Sequence, residues 1–199
     1  MLRHPVDGSQ WREIDREFQD FADDARNLRF TLSTDGFNPF GDQSSSHSTW
    51  PVTLCIYNLL PWLYMKQKFI MMAVLIQGLE QPGNDIDVYL RPLVEKLLLL
   101  WSKPGVRVWD EYQQEAFDLR ALLFVTINDW PALSNLSGQT NKGYNACTHC
   151  FSDLEVVYLK KCREIVYLGY RRFLAKNHQL RKKGKYFKGM AEHRSKPSN

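Results

Sequence analysis

The chain has 199 residues, 44% hydrophobic and 13% aromatic, with a formal net charge of +4. That is enough chain to bury a sizeable single-domain core. The longest apolar run, Phe69 to Ile76, is far shorter than the roughly 20 residues needed to cross a bilayer, so a soluble protein with no membrane span is expected. Four cysteines (Cys55, Cys147, Cys150, Cys162) are too few and too unevenly spread for a disulfide framework, which points to a reducing compartment. Met1 to Pro5 leads into polar residues rather than an apolar stretch, so no secretory signal is expected.

In chain order, Trp11, Ile14, Phe18 and Phe21 fall at helical spacing and predict an amphipathic helix over 9–27. Leu28 to Ser33 reads as a strand that ends at Asp35, and Phe40 to Ser48 as a polar loop. Pro51 to Tyr57 and Lys68 to Gln77 follow as strands, the second apolar enough for burial on both faces. Asp85 to Trp101 reads as a helix with Ile86, Leu90, Leu93, Val94, Leu97 and Trp101 on one stripe, kinked or started late by Pro92. Phe117 to Ile127 is the next strand, giving the order β, β, β, α, β. Beyond it the charge changes sign. Residues 160–199 carry 13 Lys+Arg against two acids, +11, while residues 1–159 carry 13 against 20, −7. A basic segment with interleaved Tyr167, Tyr170, Phe173, Tyr186 and Phe187 suits a polyanion, although the same run also reads as a solvated tail.

Two acids stand at strand ends. Asp35 lies in T-D-G-F-N-P-F (Thr34 to Phe40) and Asp129 in T-I-N-D-W-P-A (Thr126 to Ala132). Open α/β sheets place ligands at the carboxyl ends of strands, and two carboxylates brought together there could hold Mg²⁺ against a phosphodiester. Locally the same residues also read as an Asp-Gly hairpin turn and as a turn that merely closes a strand.

Further blocks accompany them: L-R-H-P-V-D-G (Leu2 to Gly8), F-A-D-D-A-R-N-L-R (Phe21 to Arg29), W-P-V (Trp50 to Val52), Y-N-L-L-P-W (Tyr57 to Trp62), D-I-D-V-Y-L-R-P-L (Asp85 to Leu93), G-Y-N-A-C-T-H-C (Gly143 to Cys150) and Y-L-G-Y-R-R-F-L (Tyr167 to Leu174). In this order the blocks resemble CACTA-type (En/Spm) DNA transposases over nearly the whole chain. The resemblance implies an α/β, ribonuclease-H-like mixed sheet with flanking helices, incomplete on its C-terminal side. Its parts would be a helical lead-in (1–27), a partial core (28–140) and a Cys/His-containing basic segment (141–199). It implies a DDE-type site with Asp35 and Asp129 as catalytic Mg²⁺ or Mn²⁺ ligands, DNA and other transposase subunits as partners, no small-molecule cofactor, and nuclear work.

The third carboxylate of such a site is, by the same resemblance, a glutamate on a later helix. Glu155, Glu164 and Glu192 are the glutamates available after Asp129, and none lies in a clean amphipathic helix, so the chain reads as a segment with doubtful activity alone. Cys147-x-x-Cys150 could supply two thiolates to Zn²⁺, with His149, Cys162, His178 and His193 as candidates for the rest. Resemblance favours His178, in an H-x-x-R segment, while Tyr170 replaces a histidine usual in G-H-R-R-F-L. DNA contacts are expected from Arg171, Arg172, Arg181, Lys182 and Lys183. The alternative is a non-catalytic, transposase-derived nucleic-acid-binding or protein-interaction module.

Overall fold

The computed structural model describes residues 3–40, 47–78, 82–140, 143–147, 155–185 and 189–195. Most of the expected 40–48 loop, and His149, Cys150, Tyr186 and Phe187, lie outside them. The chain forms two compact units, Met1–Ala132 and Leu133–Asn199. No helix among the described residues is long and apolar enough to cross a membrane.

The first unit begins with α1 (Ser9–Glu17) and α2 (Gln19–Ala22), followed by β1 (Leu28–Thr34), β2 (Ser48–Ile56), β3 (Ile70–Gly78) and α3 (Ile86–Trp101). A hairpin of β4 (Val106–Asp110) and β5 (Glu115–Leu119) precedes β6 (Ala121–Ile127). The main sheet is mixed, in the order β3-β2-β1-β6. β1 runs antiparallel to β2 and parallel to β6, and β2 runs antiparallel to β3. As an inner strand, β1 is covered on both faces: Phe30 and Leu32 are buried, and so are Arg29 and Thr31. α3 packs against β6 and β3 and buries Ile86 and Leu90.

Three expectations for this unit are corrected. The strand expected to be buried on both faces, β3, is an edge strand of the sheet: Met71, Met72 and Leu75 are exposed and Ile76 alone is buried among its described residues. The helix expected over 9–27 breaks at Phe18 (φ −120°, ψ 64°), whose ring turns onto Trp101 with centroids 5.0 Å apart. After α2 the Asp24 carboxylate accepts from the Arg26 N–H at 2.9 Å, an Asx-type turn that competes with helix. The strand expected over 117–127 is two strands parted at Arg120. There the Arg120 N–H donates to Asn27 Oδ1 (2.9 Å), and its guanidinium reaches Asp20 (2.7 Å) and the Trp101 carbonyl. The order is therefore β, β, β, α, β, β, β, with the β4–β5 hairpin inserted before the strand that joins the sheet.

The second unit carries the hairpin β7 (Glu155–Leu159) and β8 (Glu164–Leu168), paired antiparallel. A 3-10 turn, Tyr170–Phe173, and the short α5 (Gln179–Lys182) follow. In sequence, α4 (Trp130–Ser137) spans the boundary at Ala132 and Leu133. Ala146 is the one buried apolar residue among the described residues after Leu133.

Candidate active site

Parallel pairing sets Ser33 opposite Ile127. Asp35 and Asp129 each follow their register partner by two residues, so both leave the sheet at the C-terminal ends of neighbouring parallel strands. Both line one open cleft of about 360 Å³, together with Ser33, Thr34, Thr53 and Asn128. Both are exposed.

Side chains beside the acids hold the two strand ends. Asn128 Oδ1 accepts from the Thr34 N–H at 3.2 Å, joining the residue before Asp129 to the residue before Asp35. Thr34 Oγ1 donates to the Pro51 carbonyl (3.0 Å), and the Ser33 and Thr53 hydroxyls lie 2.8 Å apart. Asp129 Oδ1 accepts from the Ala132 N–H (2.8 Å), capping the first turn of α4.

The turn after Asp35 is pinned by packing. Gly36 lies on the Trp50 indole, so closely that a Cβ there would collide with the ring. Trp50 is buried, and its Nε1–H donates to Ser48 Oγ at 2.8 Å. Phe37 and Thr49 exchange backbone bonds of 3.0 and 2.9 Å, which carries the chain back over β2. The sequence does not single out Asn128, Thr34 or Trp50 as parts of a site. An Asn beside one acid and a Gly beside the other are the local signals, but they acquire meaning only once the strands are adjacent.

Among the described residues no group of three or more His, Cys, Asp and Glu gathers as a metal set. Glu155 opens β7, and Glu164 opens β8 and is exposed. Glu192 is buried and accepts from Arg194 Nε and Nη2, both at 2.9 Å. The Arg194 hydrogen bond holds the Glu192 carboxyl down to about 2 from an ordinary 4.5. Cys147 is half-buried and Cys162 exposed, whereas Cys150, the other half of the C-x-x-C pair, lies outside the described residues. His178 Nδ1 accepts from the Leu180 N–H (3.2 Å), capping α5.

The basic residues divide. Lys182 and Lys183 are exposed, but Arg171, Arg172 and Arg181, expected to face DNA, are buried. The Arg171 guanidinium donates to the carbonyls of Lys183 (3.0 Å) and Met190 (3.1 Å). Arg181 donates to the carbonyls of Leu174 (2.9 Å), Arg194 (2.8 Å) and Arg172. A guanidinium has five donors in a fixed fork, and here the forks gather main-chain oxygens instead of phosphates. The exposed cations among the described residues of this unit include Lys160, Lys161, Arg163, Lys176, Lys182 and Lys183.

No curated protein and no solved structure matches the chain. The family model described as transposase family tnp2 matches residues 1–199, the whole of the chain. With a mixed sheet that sets two acids at one edge, and with a match that runs from first residue to last, this chain belongs to the tnp2 family of transposases.

Proposed function

We infer that the chain is the catalytic segment of a CACTA-type, DDE-type transposase with a ribonuclease-H-like core, which cuts and rejoins DNA phosphodiesters in the nucleus. One observation carries the reading: Asp35 and Asp129 stand at the carboxyl ends of adjacent parallel strands and line the same cleft. The strand order, with three antiparallel strands and a helical crossover to a parallel fourth, supports the fold.

The donor set suits Mg²⁺ or Mn²⁺, because Asp35, Asp129 and the neighbouring hydroxyls are hard oxygen ligands. Asp35 and Asp129 would hold the ion. When bound, such a cation supplies activation of a water or 3′-hydroxyl and charge neutralisation at the leaving oxygen. Asn128 keeps the two carboxylates in register, and the exposed lysines of residues 160–185 attract the phosphate backbone. A zinc ion on Cys147, Cys150 and His178 would suit the second unit, whose described residues bury little apolar side chain.

The test is Mg²⁺-dependent nicking of DNA that carries the element's ends, comparing the chain with Asp35→Asn and Asp129→Asn. Loss in both variants, with DNA binding retained, is expected. Equal residual nicking in all three would remove the aspartates from the chemistry. The second reading, a non-catalytic nucleic-acid-binding or protein-interaction module, is favoured by the lack of a third acid beside the pair among the described residues; no nicking by any of the three, together with Mn²⁺ binding no weaker in either variant than in the wild type, would establish it.

A further inference from the structure

The inner stripe of α3 is buried by Ile86 and Leu90, yet its outer surface is also apolar: Val88 is 69% exposed, Leu98 59%, Leu99 54% and Val94 48%. Val94, Leu98 and Leu99 adjoin on the helix, with Val88 beyond Arg91 and Glu95, and exposed apolar side chains gathered on one helix face mark an interaction site. Val88, Arg91, Glu95 and Leu98 are spaced by three, four and three residues, which sets them on one stripe of the helix. Arg91 and Glu95 are exposed, and among the described residues no ion pair joins them.

The stripe is a palindrome in chemistry. Read in either direction from Leu93, a charged residue stands two positions away, Arg91 on one side and Glu95 on the other, and an apolar residue stands five positions away. We propose that this face of α3 binds the same face of a second copy of the chain, antiparallel, about a two-fold axis that passes between Arg91 and Glu95, level with Leu93 along the helix. In that arrangement Arg91 meets the partner's Glu95, and Val88 meets the partner's Leu98. An isologous interface requires that residue i touch residue j while j touches i, and the stripe satisfies this with attraction at both charge pairs. A surface evolved for an unlike partner has no need of such self-complementarity. Pro92, which lacks a backbone donor, lies on the exposed side of the helix, clear of the packed stripe.

Sedimentation equilibrium of the full chain over a concentration series tests this. The wild type should reach a monomer–dimer equilibrium. Arg91→Glu and Glu95→Arg should each weaken the dimer by roughly tenfold or more, because each places like charges together twice. An equimolar mixture of the two single variants should associate again, since it restores a pairing in which opposite charges meet, and the double variant should return to within about threefold of wild type. All four side chains are exposed, and circular dichroism checks that the variants fold. A wild type that stays monomeric, or reversals that leave association unchanged or are not rescued in the double variant, would overturn the proposal. The result is independent of whether the chain cuts DNA.

Discussion

Arginine is buried in both units, but for different reasons. In the first, Arg29 pairs with Asp15 and lies between the rings of Trp11 (4.2 Å) and Phe21 (4.9 Å). Arg120 likewise meets Asp20 and the Trp101 ring (5.0 Å). Those guanidinium groups sit at the margin of an apolar core that includes Phe21, Val52 and Ile86. In the second unit, Arg171 and Arg181 are themselves the organising elements, each collecting carbonyls from separate turns. A core of apolar contacts degrades gradually when one contact is lost. A network converging on a single fork fails when that fork is removed, because every released carbonyl must find another donor.

The sharpest break of this contrast is Arg181→Ala. It should cost about 3 kcal/mol or more, since several charge-assisted hydrogen bonds are lost together. Arg181→Lys should rescue little of that, because an ammonium lacks the planar fork. Hydrogen exchange resolved by segment would show the loss confined to residues 170–195, with β1 and β2 still protected. Uniform deprotection of both units would contradict the separation.

In the first unit the corresponding probe is Gly36→Ala. Its methyl would run into the buried Trp50 indole, so a destabilisation of about 1–3 kcal/mol is expected from overpacking. Near-ultraviolet circular dichroism should register the displaced indole and, on the proposed metal role of Asp35, Mn²⁺ affinity should fall as the turn shifts. Unchanged melting and metal affinity would mean that the turn yields without strain.

The smallest effect is a pH dependence. The Glu192 carboxyl titrates at about 2 when folded and near 4.5 when free, so its ion pair contributes fully above about 4.5 and is lost as pH falls toward about 2. Acid titration followed at the Arg171–Arg181 network should show weakening in that window, and Glu192→Gln should remove most of it. A profile unaltered by Glu192→Gln would assign the acid sensitivity elsewhere.

Much of the first unit is legible from pattern. The period-two and continuous apolar runs locate β1, β2 and β3 within a few residues, and the 3.6-residue stripe locates α3 despite Pro92. Arg120 is hidden because E-A-F-D-L and A-L-L-F-V-T-I join into one apolar stretch; only the hydrogen bonds to Asn27, Asp20 and Trp101 make it a corner. The break at Phe18 is hidden likewise, since its ring is drawn off the helix by Trp101, which is distant in sequence.

The arginines depart furthest from expectation. A run such as Arg171-Arg172 or Arg181-Lys182-Lys183 presents the same charge whether it faces phosphate or carbonyl, and composition alone cannot separate the two.

By itself, the amino-acid order determined β1, β2, β3 and the long helix of the first unit, the acids at two strand ends and the family, because each is written in local periodicity or in contiguous motifs. Tertiary structure alone decided that Asp35 and Asp129 become neighbours, that Asn128 ties their strands, and that three arginines turn inward. Those outcomes depend on hydrogen bonds and packing between residues apart in the chain, which no local pattern encodes.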